Sequence, residues 1–274
     1  SMASKIYALA FCGTNLFAAT NIGVLLSTDD GTNWKIANNG LSAEVSTFVV
    51  RGSMIFATSG SSNFLTTDCG ASWNQLSNVP GNAELDAFAV SDSNLLAEAG
   101  GSGVYESADS GKNWRAVNAG LRNRFVWALD FIGMNLFAGT DSGLFILSDT
   151  DTTWRFASNS VGSLGINSII TNGSLTLVAA ENNIFLSTDS GIEWNCVNSN
   201  LAGTQANDLV DHGACFFAAD NGLIFLSTDE GSSWKLPSTN FENNYVERLV
   251  ADSNYLFAGT DTGGIFVSSD TGKS

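Results

Sequence analysis

Positive charge is scarce in this chain. Its 274 residues carry 11 Lys and Arg against 27 Asp and Glu, a formal net charge of −16. Nucleic acid is therefore excluded as a partner, because such binding rests on neutralising phosphates with Lys and Arg. Proline is nearly absent at 2 residues and charged residues make up 14%, whereas 18 Phe, 7 Trp and 4 Tyr are present. A disordered chain has the opposite balance. No apolar run approaches the ~20 residues of a membrane-spanning helix, so no membrane insertion is expected. Cysteine is confined to Cys12, Cys69, Cys196 and Cys215. None is spaced as Cys-x-x-Cys, and their unlike positions in the repeat described below imply neither a zinc site nor a disulfide framework. The opening residues Ser1-Met2-Ala3-Ser4-Lys5 lack the apolar stretch of a signal peptide. The one histidine, His212, has no Ser or Cys beside it in a nucleophile motif.

What is abundant is repetition. Ser27-Thr-Asp29-Asp-Gly31-Thr-Asn-Trp34 returns as Thr66-Thr-Asp68-Cys-Gly70-Ala-Ser-Trp73 and as Ser107-Ala-Asp109-Ser-Gly111-Lys-Asn-Trp114. It returns again as Ser187-Thr-Asp189-Ser-Gly191-Ile-Glu-Trp194 and Ser227-Thr-Asp229-Glu-Gly231-Ser-Ser-Trp234. A degenerate copy keeps Asp149 and Trp154 without the Ser and Gly, and a last copy holds Asp270 and ends at Ser274, before its Trp. We call these segments boxes. Their aspartates are 39 to 41 residues apart, the length of a four-stranded propeller blade.

Within a unit the apolar runs are short and broken by Gly, Asn, Asp and Ser, as strands are. Blade four reads Val126–Phe131, Leu136–Gly139, Leu144–Leu147 and Trp154–Ala157. No apolar stripe of helical period runs through three turns. The sequence thus predicts an all-β chain, one seven-bladed β-propeller domain over residues 1–274. Each blade takes about 40 residues. The first six blades are expected to have outer strands beginning at the box Trp, and the last blade to lack its outer strand. That would leave Gly264–Ser268 as an open edge able to pair with another strand.

The motif Ser-x-Asp-x-Gly-x-x-Trp resembles the Asp-box, or bacterial neuraminidase repeat. With its rhythm and second-strand wording (Leu16-Phe17-Ala18, Leu136-Phe137-Ala138, Leu256-Phe257-Ala258), the chain is most similar to photosystem II stability/assembly factor-like propellers. The resemblance implies structural roles for Asp29, Asp68, Asp109, Asp149, Asp189, Asp229 and Asp270, and for Trp34, Trp73, Trp114, Trp154, Trp194 and Trp234. Chemistry agrees: Ser and Asp satisfy nearby backbone N–H groups, Gly supplies positive φ, and Trp packs on the turn. The Asp149/Asp151 pair falls short of the ~6–8 oxygens that calcium takes, so no metal or cofactor is expected.

A ligand site is expected over the central channel, on the face opposite the boxes. Aligned inner strands are apolar at their first and fourth positions and variable at the second, which is Tyr7, Ser46, Asp86, Trp127, Asn167, Asn207 or Glu247. Aromatics, acids and amides together suit a peptide or a sugar. Trp127 is the one Trp of seven outside a box. Arg122, Arg124, Phe125 and Tyr245 are the expected rim.

An enzyme is less well supported. A sialidase needs three converging arginines, and of the six here Arg115 and Arg155 follow box Trp residues while Arg51 ends an inner strand at the box face. A xyloglucanase-like hydrolase needs two carboxylates about 5–9.5 Å apart, with Asp86 and Glu247 the candidates by type. No catalytic residue is assigned. The reading that results is a non-catalytic binding or scaffold propeller for a protein segment or glycan, with a glycoside hydrolase as the alternative. Acidic, Lys-poor composition leans toward an extracellular or periplasmic setting.

Overall fold

A computed structural model describes residues 5–41, 44–80, 85–91, 94–198, 205–213, 215–220, 222–236, 245–270 and 272. The chain is a seven-bladed β-propeller without α-helix among the described residues, and each blade is a small antiparallel meander. Five sheets have four strands, and the sixth and seventh have three. Contacts group the chain into two compact units: residues 1–84 with 221–224 and 237–274, and residues 85–220 with 225–236.

The first unit holds blades one, two and seven. Their inner strands are Ile6–Cys12, Thr47–Arg51 and Val246–Ala251. The second strands, Asn15–Thr20, Met54–Ser59 and Leu256–Thr260, are almost wholly buried. Phe257 and Phe17 are fully buried, and an added Cβ on Gly31 or Gly70 would meet those rings at 3.1 and 2.6 Å. A box turn therefore docks on the second-strand phenylalanine of the preceding blade, and any side chain at the box glycine would push it off. That is the physical content of the Leu-Phe-Ala wording. Blade seven has three strands, the last being Ile265–Ser268.

Blades three to six make up the second unit, with the same docking of Gly191 on Phe137 and of Gly231 on Leu177. The inner strands are Leu85–Val90, Val126–Ile132, Ile166–Asn172 and Asp208–His212. Across both units the first and fourth positions of the inner segments are buried in every blade, from Ile6 and Leu9 to Val246 and Leu249.

Two expectations need correction. The outer strands start one residue after the box Trp and are only two residues long, as in Lys35–Ile36 and Arg155–Phe156. In blade six the strand is a single bridge, Leu226 to Lys235. Elsewhere the residue three after the Trp donates its N–H to the third strand: Ala37 to Val24 and Ala157 to Leu144. Pro237 holds that position in blade six and has no N–H to give.

The second correction concerns cysteine. Cys12 and Cys69 form a disulfide, Cα atoms 5.9 Å apart, joining the end of the first inner strand to the box of blade two. Their repeat positions are unlike because the bond crosses between blades, which a repeat alignment does not show. Cys196 and Cys215 are free.

Candidate functional site

The second position of the inner strand is a β-bulge. In blades one, four, five and seven the pairing register skips Tyr7, Trp127, Asn167 and Glu247. In blade two Ser46 and Thr47 both oppose Thr58, and in blade six Asn207 and Asp208 both oppose Ala219. A bulge leaves one residue unpaired and re-aims its side chain. This is why one position varies freely between two invariantly apolar ones.

In the second unit the bulge presents an aromatic platform. Trp127 and Phe125 are 53% and 52% exposed, and their rings stack at 6.4 Å between centroids and 19° between planes. Trp127 Nε1 donates to Asp141 Oδ1 at 2.6 Å, from the turn between the second and third strands. Phe125 lies over Gly101, where an added Cβ would come within 2.5 Å of the ring, and Glu98 accepts the N–H of Gly101 at 2.5 Å. The platform is therefore held from both sides before any ligand arrives.

Two exposed arginines precede it in the chain. Arg115 and Arg155 are paired with Glu106 and Asp151, whereas exposed Arg122 and Arg124 have no partner among the described residues. Arg122, Asn123, Ser142, Phe145, Phe156, Asn159 and Ser163 line a cavity of about 660 Å³. Blade four differs here from blades one, three and five. In blades one, three and five an Asn four residues after the box Trp clamps the third strand, as Asn38 does through Val24 N and Ile22 O. Ser158 replaces it in blade four, and Phe156 packs edge-on against Phe145 instead.

The remaining expected residues are placed as follows. Asn167 is exposed and donates to Ala206 O at 3.1 Å. Asn207 is half-buried, and the side chain of Asp86 lies outside the described residues. In the first unit Ser46 is half-buried, and Tyr245 is 53% exposed with its N–H on Asp261 Oδ1 at 2.9 Å. Tyr7 and Glu247 share Lys5, which lies 5.0 Å from the Tyr7 ring and 3.9 Å from Glu247 Oε1.

Sequence reasoning missed the acids of the second-to-third-strand turns. Asp141, Glu181 and Asp261 each grip the entry to their own inner strand, through Trp127, Gly165 and Tyr245. Their 14- or 16-residue spacing from those partners was a readable signal. Asp220, a neighbour of that turn in blade six, is buried with one carboxylate oxygen unpartnered among the described residues, and burial pushes its pKa up.

The boxes spend their polar groups on themselves. Asp109 accepts from Ser107 Oγ, Asn113 N and Asn113 Nδ2 at 2.9, 2.8 and 2.7 Å, and Gly111 N donates to Ser107 Oγ at 2.8 Å. Hydrogen bonds from Asn113 are the largest cause holding the carboxyl of Asp109 down to about 2. Asp151 is taken by Arg155, and no cluster of three metal-ligating side chains occurs among the described residues. His212 Nδ1 is buried without a partner among the described residues, its ring edge-on to Phe217.

No family model matches this chain. No curated protein matches it either. Solved structures do. The extracellular domain of the putative one component system BT4673 from B. thetaiotaomicron superposes with a TM-score of 0.80 at 14% identity over 98% of this chain and 39% of that one. YCF48 bound to D1 peptide matches at 0.77 and 15%, over 99% of this chain and 94% of that one. The GH74 xyloglucanase from Xanthomonas campestris (Xcc1752) matches at 0.79 and 12%, over 99% and 52%. The fold is shared with them all. The chain spans about two fifths of the BT4673 ectodomain and half of the xyloglucanase.

Proposed function

We propose that this propeller is a non-catalytic binding module that recognises a polypeptide segment on the face opposite its boxes, with Trp127 and Phe125 as the anchor. The observation that carries the reading is the Phe125–Trp127 stack, exposed on both rings yet fixed by Asp141 and Gly101. Exposed aromatics that are already ordered bind with little entropy left to lose. Arg122 and Arg124, without a partner among the described residues, supply charge for a segment's carboxylates or carbonyls, and the Arg122–Phe156 cavity has room for a side chain. The peptide-bound state of a propeller with the same fold supports this class of ligand. The Cys12–Cys69 bond supports an oxidising, extracytoplasmic setting.

A glycan is the second reading, favoured by the near-parallel pair of rings, a surface onto which a sugar ring stacks, and by the fold shared with a xyloglucanase. Selection from a displayed-peptide library, run beside a glycan array, separates the two. We expect peptides enriched on the wild type to lose about tenfold or more on Trp127→Ala, the weight of a central aromatic anchor, with the melting temperature unchanged. Enrichment that ignores Trp127, or glycan binding that depends on it, overturns the polypeptide reading.

A further inference from the structure

The first blade carries a lysine folded back onto its own chain. Lys5 Nζ sits over the Tyr7 ring and within 3.9 Å of a Glu247 oxygen. A hydrogen bond with Glu44 is the largest cause holding the phenol of Tyr7 above its ordinary range, and the charges of Glu44 and Glu247 add to it. One aromatic face with carboxylates around it is the chemistry that receives an ammonium group. Lys5 holds its place loosely: its side chain and that of Glu247 are 42% and 36% exposed, and exposed pairs contribute little.

The geometry points to a receptor for the ammonium group of a lysine in the partner polypeptide, formed by Tyr7, Glu44 and Glu247, with Lys5 as an internal occupant that the partner lysine displaces. The inference rests on the reading of this face as a peptide-binding surface, since Tyr7 and Glu247 hold the same bulge position as Trp127. A chain of net charge −16 with few lysines of its own suits a basic partner.

The test is an NMR titration of the Tyr7 ring with the blocked tripeptide Gly-Lys-Gly, and with the same peptide acetylated on the lysine. Lys5→Gln should bind the lysine peptide roughly two- to tenfold more tightly than the wild type, the range that a surface ion pair and a cation–π contact supply. Adding Glu247→Gln should remove that gain, and the acetylated peptide should leave Tyr7 unmoved. Equal affinity in Lys5→Gln and wild type, or an equal response to the acetylated peptide, overturns the inference. If displayed peptides still require Trp127 in that event, the function reading stands alone; if they do not, both fall. A Tyr7 response preserved in Trp127→Ala supports a lysine subsite independent of the aromatic anchor.

Discussion

Cys12 and Cys69 are covalently joined across 57 residues of sequence, tying the inner strand of one blade to the box turn of the next. Closing so long a loop restricts the unfolded chain, by about 4 kcal/mol in the chain-entropy model. Replacing both by serine should lower unfolding free energy by about 2–4 kcal/mol in denaturant titration. Thiol counting on the unfolded, unreduced chain should find Cys196 and Cys215 alone. Four reactive thiols would rule the bond out.

The box carboxylates set the acid limb of stability. Asp68 and Asp109 are held at about 2 in the folded state, chiefly by hydrogen bonds from Thr66 and Asn113, and Asp29, Asp189 and Asp229 are lowered in the same way. The unfolded value is about 3.9. Lowered folded values mean that this stability is complete above about pH 4 and is lost as pH falls toward 2. Asp109→Asn should flatten the pH dependence of the melting temperature in that window; an unchanged slope would count against the assignment.

Asp130 works in the opposite direction. Burial pushes its carboxyl up, while Phe131 N–H donates to Oδ1 at 2.8 Å. A raised folded value makes the ionised side chain a cost at neutral pH, and the cost disappears as pH falls through the folded value toward the unfolded one. Asparagine keeps an acceptor for the Phe131 N–H. Asp130→Asn should therefore melt higher than wild type at pH 7 and converge with it near pH 4. A lower melting temperature at pH 7 would show that the hydrogen bonds to the carboxylate outweigh the cost of burying it.

Gly191 and Gly133 both have positive φ, +86° and +61°, yet their surroundings differ. A Cβ on Gly191 meets the buried Phe137 ring at 2.6 Å, whereas one on Gly133 meets nothing within 4 Å. Gly133→Ala should cost about 1 kcal/mol, the backbone term alone. Gly191→Ala should cost about 2–4 kcal/mol, since overpacking is added. Equal losses in urea unfolding would mean that the box does not bear on the phenylalanine.

The repeat made the architecture legible because each box is a local device. Ser27, Asp29, Gly31 and Trp34 satisfy one another within eight residues, so the turn can be read without its neighbours. The positive φ of the residue before the box glycine, Asp30 or Ser110, was not legible, since those side chains vary. Variability at Tyr7, Trp127 and Glu247 set this position apart without giving the reason, a bulge that only strand pairing defines.

Period, composition and charge determined that this is a seven-bladed all-β chain with an acidic surface, because hydrophobic alternation and turn chemistry act over a few residues. Tertiary structure decided the rest. It alone brought Cys12 to Cys69, laid Phe125 over Gly101, pinned Trp127 with Asp141 and set Lys5 on Tyr7. Each of these contacts depends on where a bulge aims a side chain or on which blade stands beside it, and neither is written in any single repeat.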